Sequence, residues 1–395
     1  MSDLFSDRIS AAQPSFIREI LKITADPSII SFAGGLPNPE LFPKEALQRA
    51  ANRTFELGGS EILQYTTTEG YLPLREYIAR RYQDKMGLNI DPKNILITTG
   101  SQQGLDLLGK VLLNEGDDVV LEAPGYLGAI QAFSIYRASF HAVDMDDEGI
   151  LVAPLTETLA RTRAKLLYTV PNFQNPSGLS YSEARRQQVA TALANQRTLL
   201  IEDDPYGDIR FEGQPPTSFA SLMPERTLLL GSFSKTVVPA FRLGWLVAPD
   251  AIMEKLVIAK QAADLHSNYF SQRVLYQYLM DNDLDSHIEQ IIEVYRRQRD
   301  AMLAAMQTYL PPGIDHTHPD GGMFLWASLP EGHAAMDLFK MAIKDKVAFV
   351  PGDPFYVDGQ QHNTMRLSFT TVDEATIDTG IQRLARAAEK LLNQA

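Results

Sequence analysis

Lys235 stands in the tetrapeptide Ser232-Phe233-Ser234-Lys235, with Arg242 seven residues further on. A lysine flanked by small hydroxyls and an arginine can be held in a fixed position beside an anion. That combination serves an enzyme that binds an aldehyde cofactor through the amine and its phosphate through hydrogen bonds. On its own the tetrapeptide equally reads as a surface turn carrying a solvated lysine, so the rest of the chain must decide. The preceding run Leu228–Leu230 is apolar and bounded by turn residues, as in a buried strand. The lysine is therefore expected just past a strand end.

A second cluster, Gly100-Ser101-Gln102-Gln103, leads from an apolar run into a helical pattern with Leu105, Leu108, Val111 and Leu112 on one face. The free N–H groups of a helix start attract a phosphate. With Ser232, Ser234 and a forked Arg242 they would complete a cradle for a dianion. The same residues also suit a helix cap without a ligand. Neither GxxxxGK[ST] nor GxGxxG occurs, so a nucleoside triphosphate or a dinucleotide is not the expected tenant. Asp203 ends another apolar run, and Tyr206 follows three residues later. A carboxylate against a pyridine nitrogen keeps that nitrogen protonated, and a protonated ring accepts electrons from a carbanion. Tyr206 and the amide of Asn175 could donate to a ring oxygen. Asp204 competes with Asp203 for the carboxylate role, and the pair also reads as an acidic turn before Pro205. Tyr126 offers a ring to stack on a flat cofactor, or a place in the core. His316 and His318 are close in sequence, but no further ligand cluster accompanies them, and no metal is expected.

Apolar runs and helical segments alternate between Ile95 and Arg242. Strands are expected at Ile95–Thr98, Val119–Glu122, Leu166–Val170, Leu199–Glu202, Leu228–Leu230 and Leu243–Ala248. Helices are expected at Gln103–Leu113, Gly128–Tyr136 and Tyr181–Asn195. Near-continuous apolar strands alternating with helices imply a mostly parallel sheet covered on both faces. Sites in such sheets gather at the carboxyl ends of the strands. Each of the first five strands runs into a small or polar cluster: Gly100–Gln102, Pro124–Tyr126, Asn172–Asn175, Asp203–Tyr206 and Ser232–Lys235. Five loops are thus expected around one pocket. Upstream, Ser31–Pro43 packs two glycines and three prolines into thirteen residues, a loop of fixed geometry. Phe16–Ile23 carries a short amphipathic pattern with Arg18 off its apolar stripe. Past residue 250 helices at Ala251–Ala263 and Ser286–Tyr309 precede short strands and a last helix from Glu374, which suits a smaller α+β domain.

The chain has 395 residues, 45% hydrophobic and 22% charged, which is ordinary for a folded protein long enough for one large and one small domain. A formal charge of −13 repels nucleic acid and anionic membranes, so neither is an expected partner. An anionic substrate must then be caught by a local group of arginines. There is no cysteine, which excludes disulfides, thiolate metal sites and cysteine nucleophiles. The first residues, MSDLFSDRIS, lack a basic stretch followed by an apolar core, and no apolar run reaches the roughly 18 residues of a membrane span. A cytoplasmic location is expected.

The words SFAGGLPNPELFP, LQYTTTEGYLPLREY, LITTGSQQGLDLLGKV, EAPGYLGA, PNFQNPSG, EDDPYG, GSFSK, PAFRLGW, PDGGMFLW, AFVPGDPF and MRLSF run in order from about residue 31 to 369. In this the chain resembles the fold-type I pyridoxal-phosphate aminotransferases, most of all the branch containing 2-aminoadipate and kynurenine aminotransferases. The resemblance implies an α/β fold with a mostly parallel seven-stranded sheet in a large domain, residues 46–290. A smaller C-terminal domain, 291–395, would be joined by an N-terminal segment, 1–45. It implies pyridoxal 5'-phosphate on Lys235, with Asp203 on the ring nitrogen, Asn175 and Tyr206 on the ring oxygen and Tyr126 on the ring face. Ser101, Gln102, Ser232, Ser234 and Arg242 would hold the phosphate. Tyr65 would reach the phosphate of the neighbouring subunit in a homodimer with shared active sites. Arg366 would bind the substrate α-carboxylate, with Asn175 and Gly35 beside it, and Arg18 would reach a distal carboxylate. Ala240 departs from the glycine that relatives often carry there.

The activity implied is transfer of the amino group of an L-amino acid (2-aminoadipate, aromatic, branched or aliphatic) to a 2-oxo acid such as 2-oxoglutarate, by a ping-pong mechanism with Lys235 as the base. A β-lyase on the same fold would share nearly every one of these residues. A cofactor-sensing regulator would need a DNA-binding module, which a resemblance beginning by residue 31 leads one not to expect.

Overall fold

The computed structural model describes residues 4–10, 20, 26–359 and 361–393. Its central sheet has eight strands: β1 (Ile95–Thr98), β2 (Asp118–Ala123), β3 (Ser139–Asp146), β4 (Gly149–Ile150), β5 (Leu166–Thr169), β6 (Leu199–Asp203), β7 (Thr227–Ser232) and β8 (Gly244–Val247). Their order across the sheet is β1-β8-β7-β6-β5-β2-β3-β4. The pairs from β7 through β6, β5 and β2 to β3 are parallel. β8 runs antiparallel to both β7 and β1, which leaves β1 pointing the same way as β7. β4 turns back against the end of β3.

The expected count of seven strands becomes eight because β4, only two residues long, adds an edge. Neither β4 nor β3 reads as a strand in the sequence. β3, SFHAVDMD, lies near the sheet edge and buries only Val143 fully, so it lacks the apolar run of its neighbours. β5 and β7 inside the sheet, and β1 at its end, are buried at every residue, as expected where helices cover both faces.

The expected helices lie within a residue or two of their observed bounds: Ser101–Leu112, Leu127–Ser134, Glu183–Leu193, Asp250–Ala263 and Leu284–Tyr309. Three more of ten residues or longer, Val152–Arg161, Tyr269–Asp281 and Ala335–Lys344, escape the sequence reading. The long helix Leu284–Tyr309 runs through residues 290 and 291 and packs against the last helix, Glu374–Leu392. Beside them Asp315–His316, Phe324–Ser328, Thr364–Ser368 and Val350–Pro351 form a four-stranded antiparallel sheet. The chain near the N-terminus joins this region: Ile30–Ser31 pairs with Val347–Ala348, and Ser368 N donates to Phe32 O at 2.8 Å. The Gly34–Pro37 loop is thereby hung between this layer and the end of the large sheet. Most of the helical pattern at Phe16–Ile23, with Arg18, lies outside the described residues.

Candidate active site

One cavity of about 410 Å³ opens at the carboxyl ends of the parallel strands. All five strand-end loops reach it, through Gly100–Gln102, Tyr126, Asn175, Asp203–Tyr206 and Ser232–Lys235, joined by Arg242, Arg366 and the Gly35–Pro37 loop. A parallel sheet puts every strand's C-terminal loop on one edge, so residues 134 positions apart in the chain share one space.

One end of the cavity is built to bind an anion. β1 stops at Thr98, and Gly100 turns the chain into Ser101–Leu112 with φ +74°. A Cβ at Gly100 would stand 2.6 Å from Arg242 Nη2, so the guanidinium lies against a turn that only glycine leaves open. Ser232 Oγ accepts from Ser234 N at 3.0 Å, which sets both hydroxyls on the same turn. Gln102 Nε2 donates to Gly128 O at 2.8 Å. Arg242 itself has φ +52°, after the short turn Pro239–Phe241. Ala240 is not among the residues of positive φ and is exposed, so it needs none of the freedom a glycine would bring.

Asp203 and Asn175 lie at the other end. Asp203 is 2% exposed, and its Oδ2 accepts from Tyr168 at 2.7 Å. Its Oδ1 is buried with no hydrogen-bond partner, an acceptor left for something that enters the cavity. Burial pushes the carboxyl up to about 7, with repulsion from Asp204 adding to it and the Tyr168 hydroxyl opposing. Asp204 lines a different pocket with Arg81, Asp208 and Trp245 and accepts from Gly207 N. Of the two carboxylates the sequence leaves open, Asp203 lines this cavity and Asp204 does not. Asn175 Nδ2 lies 3.5 Å from Tyr206 Oη, and its Oδ1 accepts from Arg366 Nη1 at 2.7 Å. Arg366 also donates to Ala33 O at 2.9 Å and sits 4.4 Å above the Phe324 ring. Its Nε is buried without a partner, and burial brings its pKa down to about 10.

Lys235 lies between the two ends. Nζ donates to Gly35 O at 2.7 Å and stands 5.9 Å from the Tyr206 ring centroid. Burial, then the positive charges of Arg366 and Arg242, lower its pKa to about 8. An amine at that value is available as a base near neutral pH, where an ordinary lysine is protonated.

One of the expected residues does not line this cavity. Tyr65 is 77% exposed, its ring edge-on to His266 at 5.8 Å. Arg18 lies outside the described residues. His316 and His318 are close together, ring centroids 4.9 Å apart, and among the described residues no group of three or more His, Cys, Asp or Glu could hold a metal ion. The sequence reading misses Tyr168, which sits inside the apolar run of β5. The available signal is that a tyrosine in a buried strand must find a partner for its hydroxyl. It also misses Leu36, Pro37 and Pro239 on the cavity wall.

Residues 34–384 match the family described as aminotransferase class I and II. The chain belongs to that family. This aminotransferase is 41% identical over 392 residues to aromatic-amino-acid aminotransferase 1 of Thermococcus litoralis, covering 98% of this chain and 94% of the relative. It is 42% identical over 396 residues to the 2-aminoadipate transaminase of Thermus thermophilus, covering 99% and 98%. A solved α-aminoadipate aminotransferase from Thermus thermophilus, complexed with N-(5'-phosphopyridoxyl)-L-leucine, superposes with a TM-score of 0.93 at 41% identity, over 100% of this chain and 99% of that one. The aminotransferase depends on pyridoxal 5'-phosphate, and the residues present fit it. A half-buried amine lies between a hydroxyl-and-arginine cradle at a helix start and a carboxylate whose inner oxygen has no partner.

Proposed function

We propose that this aminotransferase moves the amino group of aromatic and aliphatic L-amino acids and of 2-aminoadipate to 2-oxoglutarate, in two half-reactions at one site. The observation that carries the reading is Lys235 Nζ, an amine with a lowered pKa in the same cavity as the partnerless Asp203 Oδ1 and the paired arginine Arg366. When bound, pyridoxal 5'-phosphate supplies a carbonyl that carries the amino group and a ring that takes up electrons from the substrate Cα.

The chain's residues do the rest. Ser101, Gln102, Ser232, Ser234 and Arg242 hold the phosphate and so fix the cofactor along the cavity. Asp203 Oδ1 keeps a proton on the ring nitrogen, and in accepting it finds the partner it lacks. Tyr206 and Asn175 donate to the ring oxygen, and Tyr126 covers the ring face. Arg366 forks the substrate α-carboxylate and with Asn175 sets which Cα bond faces Lys235. Lys235 Nζ takes the α-proton and returns it one position away, and water then supplies the oxygen that replaces the amino group as the 2-oxo acid leaves. The second oxo acid then runs the same proton path backwards. Gly35 O, already an acceptor for Lys235, guides the amine between those positions. A homodimer, with Tyr65 donating to the partner's cofactor phosphate, completes the reading.

Substrate breadth follows from the wall opposite. Leu36, Pro37 and Pro239 offer apolar surface to a side chain. Lys235, Arg242 and Arg366 are the only cations among the described lining residues, and each already has a role. A distal carboxylate therefore needs a cation from elsewhere, and Arg18 is that cation in this proposal. Spectral half-reactions of the holoenzyme with a panel of L-amino acids test the scheme. Each true donor should bleach the bound cofactor's absorbance and release its oxo acid, and 2-oxoglutarate should restore the band. Pyruvate and ammonia as products would instead indicate β-elimination. Arg18→Ala should raise KM for 2-aminoadipate and 2-oxoglutarate about tenfold or more while leaving leucine and phenylalanine unchanged. Equal loss for all four rules Arg18 out as the selector.

A further inference from the structure

Lys260, on the helix Asp250–Ala263, is fully buried. It lines no part of the cavity. Nζ donates to Gln103 Oε1 at 2.8 Å, to both oxygens of Asp264 at 2.9 and 3.1 Å, and to Ser267 Oγ at 3.0 Å. Gln103 closes the ring, with Nε2 on Asp264 Oδ2 at 2.7 Å and Oε1 accepting from Thr99 N at 2.8 Å. Thr99 Oγ1 reaches Asp264 Oδ2 at 3.3 Å and Ser267 Oγ at 3.2 Å, and Ser267 Oγ donates to Ile97 O. We infer that Lys260 is a positioning residue for the cofactor phosphate: through Gln103 and Asp264 it locks the Thr99–Gln102 turn in the shape that aims its N–H groups at the anion.

A buried ammonium is expensive and survives only where its partners are in place, and an apolar side chain of similar volume could fill the space at lower cost. All the partners of this ammonium bear on one short turn. Gln103 Oε1 engages the N–H of Thr99 from the protein side. The N–H groups of Ser101 and Gln102 at the start of Ser101–Leu112 have no intrahelical partners, and both residues line the cavity. Gly100 and Arg242 touch across that turn, so a tilt of the turn also moves the guanidinium. The far edge of the cage continues into Leu265 and His266. The His266 ring meets Tyr65, and its Nε2 accepts from Thr66 N at 3.5 Å. One cage thus braces both the chain's own phosphate turn and the seat of the tyrosine assigned to the partner's phosphate.

The inference rests on the assignment of the Ser101–Arg242 end to the phosphate, and the experiment separates the two. Cofactor-free, full-length variants are titrated with pyridoxal 5'-phosphate and, separately, with pyridoxal, which has the same ring and aldehyde but no phosphate. Arg242→Met tests the assignment: it should weaken the phosphate form about tenfold or more and leave pyridoxal within twofold. Lys260→Met should show the same selective loss, about tenfold, although it touches no ligand. If Arg242→Met discriminates and Lys260→Met binds both ligands as the wild type does, or loses both equally, the positioning role is wrong while the phosphate assignment stands. If Arg242→Met does not discriminate, the assignment and the inference fall together. Should Lys260→Met not fold, Gln103→Met carries the comparison, because its partly exposed side chain removes the link to Thr99 without leaving a cavity in the core.

Discussion

Lys235 carries a positive charge that the folded chain disfavours, which has a consequence for stability apart from catalysis. Its pKa falls from 10.5 to about 8, mainly through burial and then through Arg366 and Arg242. Below pH 8 both folded and unfolded chains carry the proton, and the folded one bears the whole penalty. Between about 8 and 10.5 the folded lysine is neutral while the unfolded one still binds a proton, so stability rises with pH. Above 10.5 the penalty is gone. Cofactor-free Lys235→Met should therefore be more stable than cofactor-free wild type at pH 7, by on the order of 2–3 kcal/mol. The advantage should shrink to nothing as pH climbs from 8 to 10.5. Urea midpoints at four or five pH values read this directly, and a constant difference across that range defeats the argument. The same substitution abolishes turnover in the proposed mechanism, so stability and activity move in opposite directions. Tyr168 makes the complementary case. Its hydroxyl donates to Asp203 Oδ2 and opposes the rise of that carboxyl to about 7. A hydrogen bond to a charged group contributes roughly 1.5–3 kcal/mol, so Tyr168→Phe should move the carboxyl titration up by about one to two pH units. Infrared difference titration of the cofactor-free protein is the measurement, and an unmoved carboxyl band contradicts the role.

The strand-end loops are the elements that bring the site together, and the turn after β1 shows how little slack they have. Gly100→Ala sets a methyl 2.6 Å from Arg242 Nη2 and asks an alanine to hold φ +74°. Backbone strain of roughly 1–3 kcal/mol lowers the melting temperature of a chain this long by only a few degrees. In the proposed function Arg242 holds the phosphate, so displacing its guanidinium should lower affinity for pyridoxal 5'-phosphate about tenfold or more while the fold survives. Equilibrium titration of cofactor into the variant checks it, with circular dichroism confirming the fold. Such turns explain which parts of the fold and site were legible in the sequence. β1, β2, β5, β6 and β7 are unbroken apolar runs, each ending in a polar or glycine-bearing loop, so their existence and the convergence of those loops could be read directly. β3 and β4 could not: one is a mixed strand next to the edge and the other two residues long, and both are fixed by pairing rather than pattern. Tyr168 and Lys260 were hidden for a related reason. Each lies inside an apolar stretch that reads as core, and only the three-dimensional neighbour, Asp203 or Gln103, reveals what its polar end is for.

At the scale of the whole molecule, Tyr65 is one of a set of exposed large side chains. Phe55, Leu57, Leu63, Leu72 and Leu265 are exposed large apolar side chains. Tyr65, two residues from Leu63 and with its ring against His266 beside Leu265, does not line its own chain's cavity. Apolar side chains clustered on a surface mark a place where another surface docks. In the proposed homodimer that partner is a second copy, related by a two-fold axis so that each Tyr65 serves the other chain's phosphate. Complementation separates this arrangement from one in which each chain serves itself. A Lys235→Ala chain has no base but supplies an intact Tyr65, and a Tyr65→Ala chain has an intact base but supplies no tyrosine. If the sites are shared, the mixed dimer has one wild-type site, made of Lys235 from one chain and Tyr65 from the other. Its second site lacks both. Random pairing at equal amounts makes about half the dimers mixed, with one good site of two, so activity should return to about a quarter of the wild-type value. The assay is run at a cofactor concentration too low to fill the Tyr65→Ala homodimer, so that neither parent contributes. If Tyr65 served its own chain, mixing would give no more than the average of the two parents, because no pairing would restore a complete site.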